Sequence, residues 1–215
     1  MNYPIFNAIV NQLETRLSKR SIQVDQFRLW KEEKINATGL EIGMDLSARS
    51  PLVNRLAIHL DWDKFREAGL ARQLPGLQKH PLLNNGFFSN KGLSPYIDAE
   101  IIWSFREEPL YEKLDSMVGN RRMEAARQWM DVINREIKST FAGEDLITRW
   151  HVDIEGDLNG RYVTNMSLIS YMQYELDTFS SLNDIHLFME QNMQRIVLKT
   201  DSIIKIASKT LEMAA

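Results

Sequence analysis

The chain has 215 residues, 44% of them hydrophobic and 26% charged, with a formal net charge of −3. That length supports a proper core in one large domain or two small ones, while a pI near 5.9 argues against a nucleic-acid binder, which more often carries a basic face. Cysteine is absent, which excludes disulfides, thiolate metal ligands and a cysteine nucleophile.

The opening Met1-Asn2-Tyr3-Pro4 lacks the charged-then-apolar pattern of a secretory leader. No uninterrupted apolar run approaches the ~18–20 residues that a membrane helix needs. The expectation is a cytoplasmic protein with no membrane segment. Without a secretory route, Asn36-Ala-Thr38 and Asn165-Met-Ser167 match the glycosylation pattern by chance.

Residues 4–20 read as an amphipathic helix. Pro4 suits a first-turn position, and Phe6, Ile9, Val10, Leu13 and Leu17 recur at helical spacing. Three strands are predicted next, near 22–31, 39–47 and 54–62. In the second, Leu40, Ile42, Met44 and Leu46 alternate with Glu41, Gly43 and Asp45. In the third, Leu56, Ile58, Leu60 and Trp62 alternate with Arg55, Ala57, His59 and Asp61. Successive strand side chains point to opposite faces. Short connections predict an antiparallel meander, because parallel neighbours need long crossovers. A short helix over 63–72 follows, capped by Asp61 or Asp63.

Leu74 to Pro95 holds three prolines and three glycines, which argues for a loop. A loop of ~20 residues inside a compact domain is often functional. It carries Leu82, Leu83, Phe87 and Phe88. These either tuck into the core or present an apolar surface to a partner.

A strand is predicted over 96–106, then a helix near 110–118, a break at Gly119 and a long helix over 120–141. Ala126, Met130, Ile133, Ile137 and Phe141 form its buried stripe, and Gly143 ends it. A strand-turn-strand spans 146–174, with Gly156-Asp157-Leu158-Asn159-Gly160 as the turn. The last helix runs over 182–213. Leu182, Ile185, Met189, Met193, Ile196, Ile203, Ala207 and Leu211 make one stripe. At 1.5 Å per residue it extends about 45 Å. Its stripe averages near 3.6 residues, which favours a globular packing surface over a coiled coil. A subunit interface is the alternative.

The predicted architecture is a single α+β domain over residues 1–215. A mainly antiparallel sheet of about six strands has one face covered by long helices, and the C-terminal helix is about 30 residues long.

For chemistry, the acidic strand faces are the nearest thing to a site. His59 and Asp61, and again His151 and Asp153, are two apart and so share a strand face; Glu155 extends the second pair. With Asp45, Asp98 and Glu100 they form a donor set suited to Zn, Mn or Mg, and two such metals can drive phosphodiester hydrolysis. Alternating charge is also what any solvated sheet face displays. The segment from Asp153 to Gly160 is a hairpin turn and not a calcium loop, since Leu158 occupies the position that demands glycine. No phosphate loop, dinucleotide fingerprint or nucleophile elbow is present. His80 and His186 read as surface or packing residues without a visible partner. Trp30, Trp62, Trp103 and Trp150 fall in predicted strands, where large rings pack on helices.

The sequence specifies no cofactor and no catalytic residue. Its leading expectation is a non-enzymatic interaction module of adaptor, chaperone-like or inhibitor type. Such a module would bind a protein partner through the 74–95 loop (Leu82, Leu83, Phe87, Phe88) or a sheet edge, with homo-oligomerisation through the C-terminal helix. The alternative is a metal-dependent hydrolase or nuclease using His59, Asp61, His151, Asp153 and Glu155.

Overall fold

A computed structural model describes residues 3–20, 22–32, 37–77, 79–84, 96–112, 122–144, 147–157 and 162–213. Helix α1 (Pro4–Lys19) begins with proline in its first turn and buries Ile5, Phe6, Ile9, Val10, Leu13 and Leu17. Strands β1 (Gln26–Glu32), β2 (Ala37–Asp45) and β3 (Val53–Trp62) follow. Helix α2 (Lys64–Gln73) starts at Asp63, whose carboxylate accepts from the amides of Phe65 and Arg66 at 2.8 and 2.9 Å. Of the two capping aspartates weighed above, Asp63 is the one used.

The predicted loop contains one helical turn, α3 (Pro81–Asn84), which opens on proline. Phe87 and Phe88 lie outside the described residues, as does most of the helix expected near 110–118. Then come β4 (Tyr96–Phe105), α4 (Arg122–Thr140), β5 (Ile147–Gly156), β6 (Val163–Glu175), a 3-10 turn (Leu176–Thr178) and α5 (Leu182–Met213).

The six strands form one antiparallel sheet in the order β1-β2-β3-β4-β6-β5. The meander of the first three strands is as expected. Strand β6 is inserted between β4 and β5, its hairpin partner. In that hairpin Arg149 faces Tyr171, His151 faces Ile169, and Asp153 faces Ser167.

Contacts gather the chain into two compact units. The first comprises Met1–Ile42, Ile58–Ala99 and Gln173–Ile196. Here α1 lies with the first half of α5 against the alternating apolar residues of the strands. Phe6 stacks on Trp62 with ring centroids 5.1 Å apart. Arg16 of α1 and Arg20 just past its end pair with Glu190 of α5.

The second unit comprises Gly43–Ala57, Glu100–Met172 and Val197–Ala215. Its core is aromatic. Trp103 stacks on Trp150 at 5.7 Å, and Phe105 meets Trp129 edge-on at 5.8 Å. A buried indole N–H needs an acceptor. Trp103 donates to Thr200 at 2.9 Å and Trp129 to Thr210 at 3.1 Å, which accounts for two fully buried threonines inside α5.

Trp30 differs from the expectation that it packs on a helix. It lies over Gly39 of β2, where any Cβ would overlap the indole. Gly39 alternates with the core residues Leu40 and Ile42, so Trp30 sits on the strand face turned away from them. The apolar stripe of α5 is turned inward throughout, with Ile185, Ile196, Ile203 and Ala207 all buried. Its exposed positions Asn183, Leu187, Gln191, Arg195, Leu198, Lys205, Lys209 and Glu212 follow one another at helical spacing, with Met213 exposed at the end.

Candidate functional site

The five residues expected to gather a metal are distributed over two strands. His59 and Asp61 lie on β3 in the first unit, and both are engaged by other groups. His151, Asp153 and Glu155 lie on β5 in the second. In the strand order, β4 and β6 come between β3 and β5. Among the described residues no three His, Asp or Glu side chains converge to hold an ion.

The β5 face instead carries a cation and hydrogen-bonding groups beside its carboxylates. The Arg149 guanidinium lies 4.3 Å over the Tyr171 ring. Burial pushes the Tyr171 hydroxyl above its usual range, and Glu100, with which it hydrogen-bonds, pushes it further. Asn165 approaches Asp153 at 3.4 Å, a long contact. Such a face offers hydrogen bonding and charge, with its strongest donor already occupied.

Leu82 and Leu83 sit in α3, both half-buried. What fixes this turn is a residue that sequence reasoning missed, Glu67 of α2. Its carboxylate is fully buried. It accepts from the amides of Ile5 and Phe6 at 2.6 and 3.1 Å, from the Trp62 indole at 2.8 Å, and from His80 Nε2 at 3.2 Å. The first amides of a helix have no partner within it, and the helix dipole favours a negative charge there. Glu67 therefore closes the start of α1 and ties down the chain just before α3. Burial, with Asp63 and Glu67 adding, pushes the neighbouring Tyr3 hydroxyl up. The sequence did carry a signal: Glu67 shares the helix face of Leu70, Ala71 and Leu74, where a carboxylate has no place without donors.

The two histidines without visible partners also acquire them. His80 has Glu67, and His186 of α5 donates to the Ala8 carbonyl of α1 at 3.3 Å.

The sheet's first strand exposes apolar side chains at an edge. Leu29 of β1 is 51% exposed. Phe27 and Trp30 are half-buried, and Arg28 and Lys31 are exposed. Leu29 and Trp30 are successive, so the two sides of the strand each present an apolar residue. The Thr38 hydroxyl donates to the Trp30 carbonyl at 2.7 Å and holds β1 against β2. Among the described residues no strand lies outside β1.

Comparison with protein-family models, with curated proteins and with solved structures finds no match to this chain.

Proposed function

We propose that the protein is a non-enzymatic interaction module that captures an extended segment of a partner protein along β1. The observation that carries this reading is the sheet edge itself: β1 ends the strand order with Leu29 half out of the fold. An added strand gains main-chain hydrogen bonds for affinity, and alternate side chains supply selectivity. Trp30, locked over Gly39, offers a rigid aromatic surface on one side. Leu29 and Phe27 offer an aliphatic and an aromatic contact on the other. Arg28 and Lys31 favour a partner strand with acidic residues opposite them, because opposite charges across a strand pair attract and like charges repel. The same cations discourage indiscriminate pairing at an open edge. Leu82 and Leu83 of the 74–95 segment are a second surface on which such a partner can rest. Adaptor, inhibitor and chaperone-like roles in the cytoplasm all use this mode of capture.

The test is selection of binders from a displayed library of random peptides, followed by hydrogen exchange on the complex. Selected peptides should be extended and acidic, should slow exchange at β1 amides, and should lose at least tenfold in affinity to Leu29→Asp. Peptides that protect other amides, or that bind Leu29→Asp equally well, would sink the reading.

A further inference from the structure

The first unit contains a cavity of about 40 Å³ between α1, the strands and the first half of α5. Leu13, Trp62, Phe188, Met189 and Met193 are among the residues that line it. Its wall is apolar except at Tyr174 and Asn192. For scale, one water needs at least ~10–15 Å³ and a cavity of ~150 Å³ admits benzene. This one accommodates a molecule of a few heavy atoms.

Asn192 is the group that demands an explanation. It is only 4% exposed. Its amide nitrogen donates to the Phe188 carbonyl one turn back at 2.8 Å. That bond fixes the orientation of the amide, because an oxygen there would face another oxygen. Oδ1 is then the atom left for the cavity, and it is buried with no hydrogen-bond partner among the described residues. Buried polar groups are nearly always paired, and each exception calls for a reason. Asparagine is also a poor helix former, and a larger apolar residue would both fill the space and remove the orphan oxygen.

We infer that this cavity is a binding site for a small neutral molecule, apolar except for one hydrogen-bond donor that Asn192 Oδ1 accepts. A hydroxyl or an N–H satisfies it. A carboxylate would meet the oxygen's lone pairs, and an ammonium would find no carboxylate in the lining to offset its desolvation. Met189 and Met193 are unbranched and flexible, so the wall adjusts to the shape of the guest. Phe188 and Met189 are half-buried, which places the entrance beside them. This site is independent of the β1 edge and stands or falls separately.

The test uses two isomers, ethanol and dimethyl ether, each of three heavy atoms, which share a formula and differ in possessing a donor. With methionine methyl groups isotopically labelled, each compound is titrated into the whole protein and followed by NMR. Ethanol should shift the Met189 and Met193 signals selectively and bind at least tenfold more tightly than the ether. Asn192→Leu should abolish that preference. The comparison in the unaltered protein needs no variant, so a folding defect in Asn192→Leu would leave it intact. Equal affinities for the two isomers would overturn the inference. So would shifts confined to other methionines, or no response at Met189 and Met193 up to the ethanol concentration at which the protein begins to unfold.

Discussion

Two buried polar side chains in the first unit answer the same physical demand in opposite ways. Glu67 is encircled by four donors from α1, β3 and the chain before α3. Asn192 has its nitrogen paired and, among the described residues, its oxygen alone. A charge can be kept inside a protein only when its hydrogen bonds are complete, and Glu67 meets that condition. It is a structural clamp. A half-satisfied amide in an apolar wall contributes nothing comparable to the fold, which is why the cavity beside it reads as a site. The contrast teaches that a residue's burial alone does not separate architecture from function; the completeness of its partners does.

The harshest way to break the contrast is to plant a carboxylate where no donors wait. Ile196 lines the same cavity as Asn192 and is 3% exposed. Ile196→Asp should cost about 5 kcal/mol, a large share of the ~5–15 kcal/mol that holds a domain together. Ile133→Asp, at a fully buried position of α4, should do the same in the second unit. A soluble variant of either with an unchanged urea midpoint would refute the packing described above.

Removing the clamp comes next. Glu67→Ala should cost about 3 kcal/mol, because it leaves buried donors unpaired. Glu67→Gln should cost less, since one oxygen still accepts. Urea denaturation of the pair would show whether α1 depends on that carboxylate; equal midpoints for the alanine variant and the parent would show that it does not.

Asn192→Leu should change stability in the opposite direction, by about 1 kcal/mol in favour of the folded state, while destroying the small-molecule preference. A stabilised variant that has lost binding is the outcome expected of a functional residue. A destabilised one would make Asn192 a second clamp and erase the contrast.

The smallest effect belongs to His186, whose ring hydrogen-bonds to the α1 backbone at Ala8 and Ile9. Burial is the main cause pushing its imidazole below the ordinary value of 6.5. Below pH about 6.5 the unfolded chain then binds more protons than the folded one, so acid draws the equilibrium toward unfolding. Stability should be flat with respect to this group above that pH and fall beneath it. His186→Leu should flatten the acid limb of a stability-versus-pH curve, and an unchanged limb would assign the effect to other groups.

Local chemistry is what made the architecture legible in the sequence. The 182–213 helix could be bounded because its apolar stripe repeats without interruption for 32 residues. The start of α2 was readable because Asp63 caps through contacts only two and three residues away. The hairpin expected over 146–174 was readable from the alternation of its first strand and the glycine-rich turn after it. What escaped depends on partners distant in the chain. Glu67 inside α2 and His80 beyond it are 13 residues apart, and Glu67 and Ile5 are 62 apart. No periodicity encodes such a meeting. The insertion of β6 between β4 and β5 escaped for the same reason, since alternation fixes which face a side chain takes but not which strand lies beside it. The small-molecule site was beyond reach altogether, because a cavity is a property of how elements fail to fill space.

Helix α5 also sets a clock on biosynthesis. It supplies Leu182–Ile196 to one unit and Val197–Met213 to the other. Arg16 and Arg20 wait for Glu190, and the tryptophans of the second unit wait for Thr200 and Thr210. Some 180 residues separate the start of α1 from that of α5, so at the ~5–20 residues per second of translation the emerging chain spends roughly 10–35 s without its cover. Neither half can finish early and shelter the other. Through that interval the surfaces that α5 covers stay open on the ribosome, until that helix adds its two halves to the two units.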